Sequence, residues 1–468
     1  METLAPPTSA PPSPVPTGLR GSVYVKTLGC KVNTFDSHAI ENQLTGAGWT
    51  LTQEASRASA IVINTCSVTA NADREARYLI RRLRRENPDS QLLVTGCYAQ
   101  TDSARIAAMP EVDFVVPNEA KGHLVGLLGS PGSPRRALPE NPEAKLPPDT
   151  SLVRENKQKH FKSALTLFDN ASSASHTRAF LKIQDGCNGF CAYCLIPWAR
   201  GASRSVAAGE VLGEVTRLVA SGTREIVLTG IHIGDYGSEW AAGKTPFLEL
   251  LEQIFRTEGL TRVRISSLEP GELSEDMLRL AARYPGKLCE HFHLPLQSGS
   301  STVLKRMRRT YDADGYRAAV ELVRKWMPRA SIGADVIPGF PGETEEEFAE
   351  TVAFIRSCKL SWLHVFPYSS RPNTAAARMP GHLPPEVVKE RGRILRDLSA
   401  ELGRTWTSSF IGETVDVLWE NDLDPQGRRK GLTSHYIPVV DGTARAIRGE
   451  MSRVTLRGFV SDTALLGR

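Results

Sequence analysis

The sequence contains no run of apolar residues long enough to cross a bilayer. Residues 1–19 are rich in Pro and Ser and have no apolar h-region. They read as a disordered tail rather than a secretion signal, and a cytoplasmic location with no membrane partner is expected. Cysteine is scarce, with eight in 468 residues. That spacing is no disulfide framework and instead suits metal-binding thiols in a reducing compartment. The net charge is only +5, so any contact with nucleic acid must come from local patches. No Ser-His-Asp or paired-carboxylate arrangement calls for a hydrolytic explanation. The length suggests about three domains, and 41% hydrophobic residues is a globular composition.

What is present is organised around one stretch, Asp185-Gly186-Cys187-Asn188-Gly189-Phe190-Cys191-Ala192-Tyr193-Cys194. It sets three cysteines in a CxxxCxxC spacing just past a short apolar strand. Three thiolates on a tight loop can hold three irons of a 4Fe–4S cube and leave the fourth iron open. Zinc would call for a fourth Cys or His nearby, and the nearest downstream histidine is the distant His232. A zinc or redox loop stays open as the bland alternative. The spacing, placed after a strand, resembles that of the radical S-adenosylmethionine (SAM) enzymes. The resemblance implies that Cys187, Cys191 and Cys194 hold a cluster whose open iron chelates SAM. It implies reductive cleavage of SAM to a 5′-deoxyadenosyl radical, with Tyr193 near the adenine.

Three earlier segments share one ending. Short apolar or β-branched runs lead into Cys30, Cys66 and Cys97, and helical stretches separate them. The alternation predicts a parallel α/β domain over 21–125 with all three cysteines at strand carboxyl ends, where such sheets bind ligands. Three buried structural cysteines are the competing reading. The words Leu28-Gly29-Cys30-Lys31-Val32-Asn33, Asn64-Thr65-Cys66-Ser67 and Gly96-Cys97-Tyr98-Ala99 resemble the N-terminal domain of the methylthiotransferase family. That implies a second 4Fe–4S cluster on Cys30, Cys66 and Cys97, with an open iron that carries the sulfur to be transferred. Within 74–85, Arg74, Arg77, Arg81, Arg82, Arg84 and Arg85 surround a stripe of Ala76, Leu79, Ile80 and Leu83. They read either as a polyanion contact or as a solvated basic face.

Residues 126–176 are rich in proline and predict a linker. Strand and helix patterns then alternate over 177–402. Strands are expected at 225–229, 262–266, 290–294, 331–336 and 363–366. About six β/α units fit the partial (β/α)6 barrel that the radical-SAM resemblance implies, with chemistry at the carboxyl strand ends. By the same resemblance Gly230, Ser266, Gln297 and Asp335, each just past or at the end of a strand, join Tyr193 as SAM-binding candidates. Lys305, Arg306, Arg308 and Arg309 form a second basic cluster. His232, His291 and His293 are read as packing or hydrogen-bonding residues, and Cys289 and Cys358 as structural.

From 403 to 468 short β runs predict a small β-barrel. Its place resembles the TRAM domain, an RNA-binding module, and Arg428, Arg429, Lys430 and Tyr436 set cations beside an aromatic. The α/β chain is thus identified as a member of the radical-SAM methylthiotransferases. The words around Cys30 and 196–201 look most like the branch that adds a methylthio group to C2 of N6-threonylcarbamoyladenosine beside the anticodon (MtaB type). The isopentenyladenosine branch (MiaB type), the ribosomal-protein aspartate branch (RimO type) and a non-catalytic iron–sulfur RNA-binding protein are the alternatives. The resemblance implies two 4Fe–4S clusters and SAM as cofactors. Its expected partners are tRNA and a flavodoxin- or ferredoxin-type electron donor, and it leaves the sulfur donor open.

Overall fold

The computed structural model describes residues 20–129, 177–240 and 246–468. The first block forms a five-stranded parallel sheet in the order β2-β1-β3-β4-β5, made of β1 (Ser22–Thr27), β2 (Thr50–Leu51), β3 (Ala60–Thr65), β4 (Gln91–Gly96) and β5 (Phe114–Val116). All six residues of β3 are buried, as expected for the centre of a sheet covered on both faces. Helix α1 (Lys31–Gly46) follows β1, and α2 (Ala70–Glu86) follows β3. In α2 the Thr69 side chain caps the N-terminus by accepting from the Ala72 N–H. Ala76, Ile80 and Leu83 bury its inner face. Arg84 departs from the basic face read in the sequence. It is buried, donates to the carbonyls of Ser90 and Glu111, and pairs with Asp113 at 2.5 Å. The domain also runs a few residues further than expected, since Leu124 and Leu128 pack in its core. The rest of the expected linker lies outside the described residues.

The second unit contains six parallel strands in chain order: β6 (Arg178–Lys182), β9 (Glu225–Thr229), β10 (Arg262–Ile265), β11 (His291–His293), β12 (Ser331–Val336) and β13 (Trp362–Val365). A parallel bridge between Val263 and Leu288 joins the two halves. Two short antiparallel strands, β7 (Gln184–Asp185) and β8 (Arg204–Ser205), flank the cysteine loop. Among the described residues β6 and β13 do not pair, so the barrel is open. Phe35 of α1 is fully buried in the same core as Leu181 and Ile183. That contact docks the first unit beside β6.

Helix Pro385–Ser408 leads to a closed five-stranded barrel in the order β14-β15-β16-β18-β17, made of β14 (Thr414–Leu423), β15 (Arg429–Thr433), β16 (Pro438–Asp441), β17 (Met451–Phe459) and β18 (Leu465–Gly467). Trp419, Val439, Leu456 and Leu465 fill it. Arg262 and Arg264 hold it against the larger barrel by donating to the carbonyls of Leu432, Thr433 and Ser434. Tyr436 corrects the sequence reading. Instead of standing beside Arg428–Lys430, its ring lies 4.4 Å from the His291 ring, with the Arg264 guanidinium 5.1 Å away. Arg428 is held by Asp424, and Arg429 donates to the carbonyls of Glu420 and Ala446. No helix among the described residues is long and apolar enough to cross a membrane.

Candidate active site

Cys30 follows β1 and caps α1, Cys66 follows β3, and Cys97 opens a short helix directly after β4. Asn33 ties two of these strand ends together. Its amide donates to the carbonyls of Leu28 (2.8 Å) and Thr65 (2.9 Å). Gly29 has φ +107, and a Cβ there would stand 2.7 Å from Cys66 Cβ. Only glycine allows this turn and this approach. The thiols are near enough to act on each other: burial pushes Cys66 up to about 12, and Cys97 and Cys30 add to the rise.

Cys187, Cys191 and Cys194 lie on the loop after β7. Gly186 has φ +77 and no room for a Cβ beside the Ala202 carbonyl. Burial, and then Cys191 and Cys187, push the Cys194 thiol up to about 12. Donors converge on these sulfurs. The Gly189 N–H donates to Cys187 (3.3 Å), the Ile196 N–H to Cys194 (3.4 Å) and Arg309 to Cys191 (3.1 Å). His232 Nδ1 lies 3.7 Å from Cys187.

One cysteine of each trio opens on the same space. A cavity of about 230 Å³ is lined by Cys97, Ser67 and Thr69 from the first unit and by Cys194, Tyr193 and Asp335 from the second, with Ile337 and Phe366 as apolar wall. A buried ion network joins the two units. Asp36 pairs with Lys182 (2.6 Å), Lys121 (2.7 Å) and Arg200 (3.1 Å), while Asp185 pairs with Arg200 (3.0 Å) and Lys182 (3.1 Å). Burial raises the Asp36 carboxyl, but Lys121, Lys182 and Arg200 outweigh it and hold it well below the usual range. Three cations face two carboxylates, which leaves one positive charge over. Arg200 feels Cys97 and Cys30 directly.

This chemistry fits an iron–sulfur group at each trio. Thiolates around zinc stand about 2.3 Å from the metal, hence about 3.8 Å apart. Among the described residues the sets whose ligand atoms all lie within 4.8 Å are His293/Asp335/His364 and His232/Asp235/Glu272. Neither cysteine trio is among them. The N–H donors suit anionic sulfur, and the surplus cation suits a negatively charged group.

Comparison with known proteins follows the same division. Residues 22–117 match the model described as Uncharacterized protein family UPF0004, and residues 181–355 match the Radical SAM superfamily. A threonylcarbamoyladenosine tRNA methylthiotransferase MtaB from Bacillus subtilis is 38% identical over 439 residues, covering 93% of each chain. The chain belongs to the radical-SAM tRNA methylthiotransferase family. An MtaB from Aquifex aeolicus is 36% identical over 89% of this chain and 96% of its own. A tRNA-2-methylthio-N(6)-dimethylallyladenosine synthase from Mycobacteroides abscessus is also 36% identical, over 94% of this chain and 83% of its own. In fold the chain resembles the radical SAM methyltransferase TsrM from Kitasatospora setae. The TM-score is 0.52 at 14% identity, covering 74% of this chain and 72% of that one. Methylthiotransferases of this family use SAM and 4Fe–4S clusters.

In this methylthiotransferase Tyr193, Gln297 and Asp335 meet at the cavity. Gln297 has φ +64, and its backbone N–H donates to the Asp335 carbonyl at 2.7 Å. Asp335 accepts from His293 (2.9 Å) and His364 (3.3 Å). Burial raises its carboxyl, and the two imidazoles hold it below the usual range. Gly230 and Ser266 lie at neighbouring strand ends outside the cavity lining. A Cβ on Gly230 would meet Gln184 Oε1 at 2.9 Å. Ser266 Oγ is buried without a partner among the described residues. Arg309, read in the sequence as part of a second basic cluster, reaches Cys191, Tyr193 and Glu269. Sequence reasoning also missed Gln184, whose amide oxygen accepts from the N–H groups of Ile231 and His232 and whose nitrogen donates to the Gly186 carbonyl. It missed the Asp36–Lys182–Arg200 network as well. The only trace was position, since Asn33 lies in the word around Cys30 and Arg200 in the run 196–201.

Proposed function

We propose that this methylthiotransferase adds a methylthio group to C2 of N6-threonylcarbamoyladenosine next to the anticodon of tRNA. The observation that carries this reading is the single cavity onto which Cys97 and Cys194 both open. Cys187, Cys191 and Cys194 are assigned one 4Fe–4S cluster, and Cys30, Cys66 and Cys97 the other. Tyr193, Gly230, Ser266, Gln297 and Asp335 are assigned to SAM. When bound, the clusters and SAM supply the radical chemistry and the sulfur, which no acid or base of the protein could replace at an unactivated aromatic carbon.

The protein's own work is to hold, orient and dry the site. Arg309 and the Gly189 and Ile196 N–H groups donate to the ligand sulfurs, which sets their charge and geometry. Gln184 fixes the Gly230–His232 segment against the Cys187 loop. Leu195, Ile337 and Phe366 line the cavity with apolar surface and keep water from reactive species. Asn118 donates to Cys97 (3.8 Å) and to the Ala199 carbonyl (2.8 Å), which fixes one trio relative to the other. Exposed Arg81, Arg82 and Arg85 on α2 and Lys430 on the C-terminal barrel are basic surfaces suited to tRNA phosphates. A cytoplasmic location and a flavodoxin- or ferredoxin-type reductant go with this reading.

The threonylcarbamoyl branch is favoured because the MtaB relative covers 93% of both chains. Anaerobic reconstitution with SAM, a reductant and tRNA carrying threonylcarbamoyladenosine tests it. A methylthio mass gain on that nucleoside is expected. A gain on dimethylallyladenosine alone would move the protein to the other branch.

A further inference from the structure

Lys31 follows Cys30 directly and starts α1. It is half-buried, and no carboxylate lies within ion-pair distance of it among the described residues. Its Nζ lies 5.9 Å from the centre of the Tyr436 ring. That ring also carries Arg264 at 5.1 Å and packs against His291 at 4.4 Å and Trp362 at 6.3 Å. Trp362 in turn contacts His293 and His364, the pair that holds Asp335 on the cavity wall. A continuous chain of aromatic and imidazole contacts therefore links Lys31 to Asp335 at the cavity.

No carboxylate is committed to Lys31. Arg264 and Arg178 face it as like charges, and the carboxylates whose field reaches it are Asp335 and Glu225. Both are engaged elsewhere, Asp335 by His293 and His364, Glu225 by Arg262 and Arg264. A half-buried ammonium with no anion of its own is costly unless a ligand supplies one. The region below it is polar and unsatisfied too, since His291 is 2% exposed with both ring nitrogens unpartnered among the described residues.

We infer that Lys31 is a specificity-determining residue that binds the carboxylate of the threonylcarbamoyl group on the substrate adenine. This rests on the reading above that N6-threonylcarbamoyladenosine is the substrate. The N6 substituents of the two competing nucleosides differ in one decisive respect, for the threonyl group ends in a carboxylate and the dimethylallyl group carries no charge. On the adenine ring only N1 separates C2 from the carbon bearing N6. A base that presents C2 to the Cys30/Cys66/Cys97 trio therefore brings its N6 substituent near that trio, where Lys31 stands one residue from Cys30. The discrimination works in both directions. The ammonium gains a charge-assisted hydrogen bond with the threonyl carboxylate, and an apolar substituent would leave it unpaired.

The test uses the full chain with both clusters loaded and two anticodon stem-loops. One carries threonylcarbamoyladenosine, and the other carries its neutral carboxamide. The wild-type protein is expected to favour the acid over the amide by about tenfold or more in kcat/KM, as expected for one lost ionic hydrogen bond. Lys31→Gln is expected to lower kcat/KM on the acid by a similar factor, to leave the amide nearly unchanged, and to retain iron content and SAM cleavage. Lys31→Arg is expected to restore most of the preference. Equal wild-type rates on acid and amide would overturn the inference without any variant, as would a Lys31→Gln loss of the same size on both. A wild-type protein inactive on both but active on dimethylallyladenosine would overturn the substrate reading itself.

Discussion

Arg200 and Asp36, 164 residues apart, meet at 3.1 Å in a site where each is 2% exposed. One comes from the helix after the CxxxCxxC loop and the other from α1 behind Cys30. The same guanidinium donates to Asn33, the residue that ties the ends of β1 and β3. The two cysteine trios thus share one electrostatic foundation.

Removing the negative charge at its centre should be severe. Asp36→Asn would leave Lys121, Lys182 and Arg200 buried with only Asp185 between them. Breaking a buried pair on one side costs about 3–5 kcal/mol. A lowered thermal midpoint and loss of iron from the Cys30/Cys66/Cys97 trio are expected, read by calorimetry and iron analysis. An unchanged midpoint would show that the network bears no weight.

The anchor of the C-terminal barrel gives a pH dependence. Burial pushes the Glu225 carboxyl up, but Arg264 and Arg262 outweigh it and bring it to about 2. An unfolded glutamate titrates near about 4.3. Folding therefore favours the ionised form. Its contribution is complete above the unfolded value and is lost as pH falls through about 2. Acid titration followed by tryptophan fluorescence should show a steep loss of stability in that window, and Glu225→Gln should flatten it while lowering stability at neutral pH.

Substitution of a single turn glycine should unload one cluster alone. In Gly29→Ala the new Cβ would stand 2.7 Å from Cys66 Cβ at φ +107. Strain of that kind costs about 1–3 kcal/mol, and it falls between the loops that carry Cys30 and Cys66. About half of the iron should be lost, with SAM cleavage kept and methylthiolation lost. Cys30→Ala, Cys66→Ala and Cys97→Ala should behave alike, whereas Cys187→Ala, Cys191→Ala or Cys194→Ala should abolish SAM cleavage. Loss of both clusters from any single cysteine variant would contradict the two-trio assignment.

Arg309 donates to Cys191 at 3.1 Å. A cationic donor on a cluster sulfur stabilises the more negative, reduced state. Arg309→Gln should shift the midpoint of that cluster to more negative potential in an electron paramagnetic resonance titration. A midpoint shift in the other direction would show that Arg309 acts through Glu269 or Tyr193 instead.

The parts of this molecule legible in its sequence were those written in local periodicity and spacing. β-branched runs ending at Cys30, Cys66 and Cys97 gave the parallel sheet, and CxxxCxxC after β6 gave the second trio. Bounds shifted by a residue or two, as at His291–His293, where the sequence suggested 290–294. What stayed hidden depends on partners far away in the chain. Arg84 looks like its arginine neighbours until Asp113 is placed beside it. Arg309 looks like one more member of a basic cluster until the cysteine loop folds under it, and Tyr436 looks like a stacking platform until its loop is seen against His291. In each case a local pattern named the residue type, and a long-range contact decided its use.

The most direct test of the central claim is mass analysis of tRNA nucleosides from cells with and without this gene. The methylthio form of threonylcarbamoyladenosine is expected to disappear while the methylthio form of the isopentenyl nucleoside persists, and the wild-type gene is expected to restore it. Loss of the isopentenyl form alone, or no change in either, would contradict the claim.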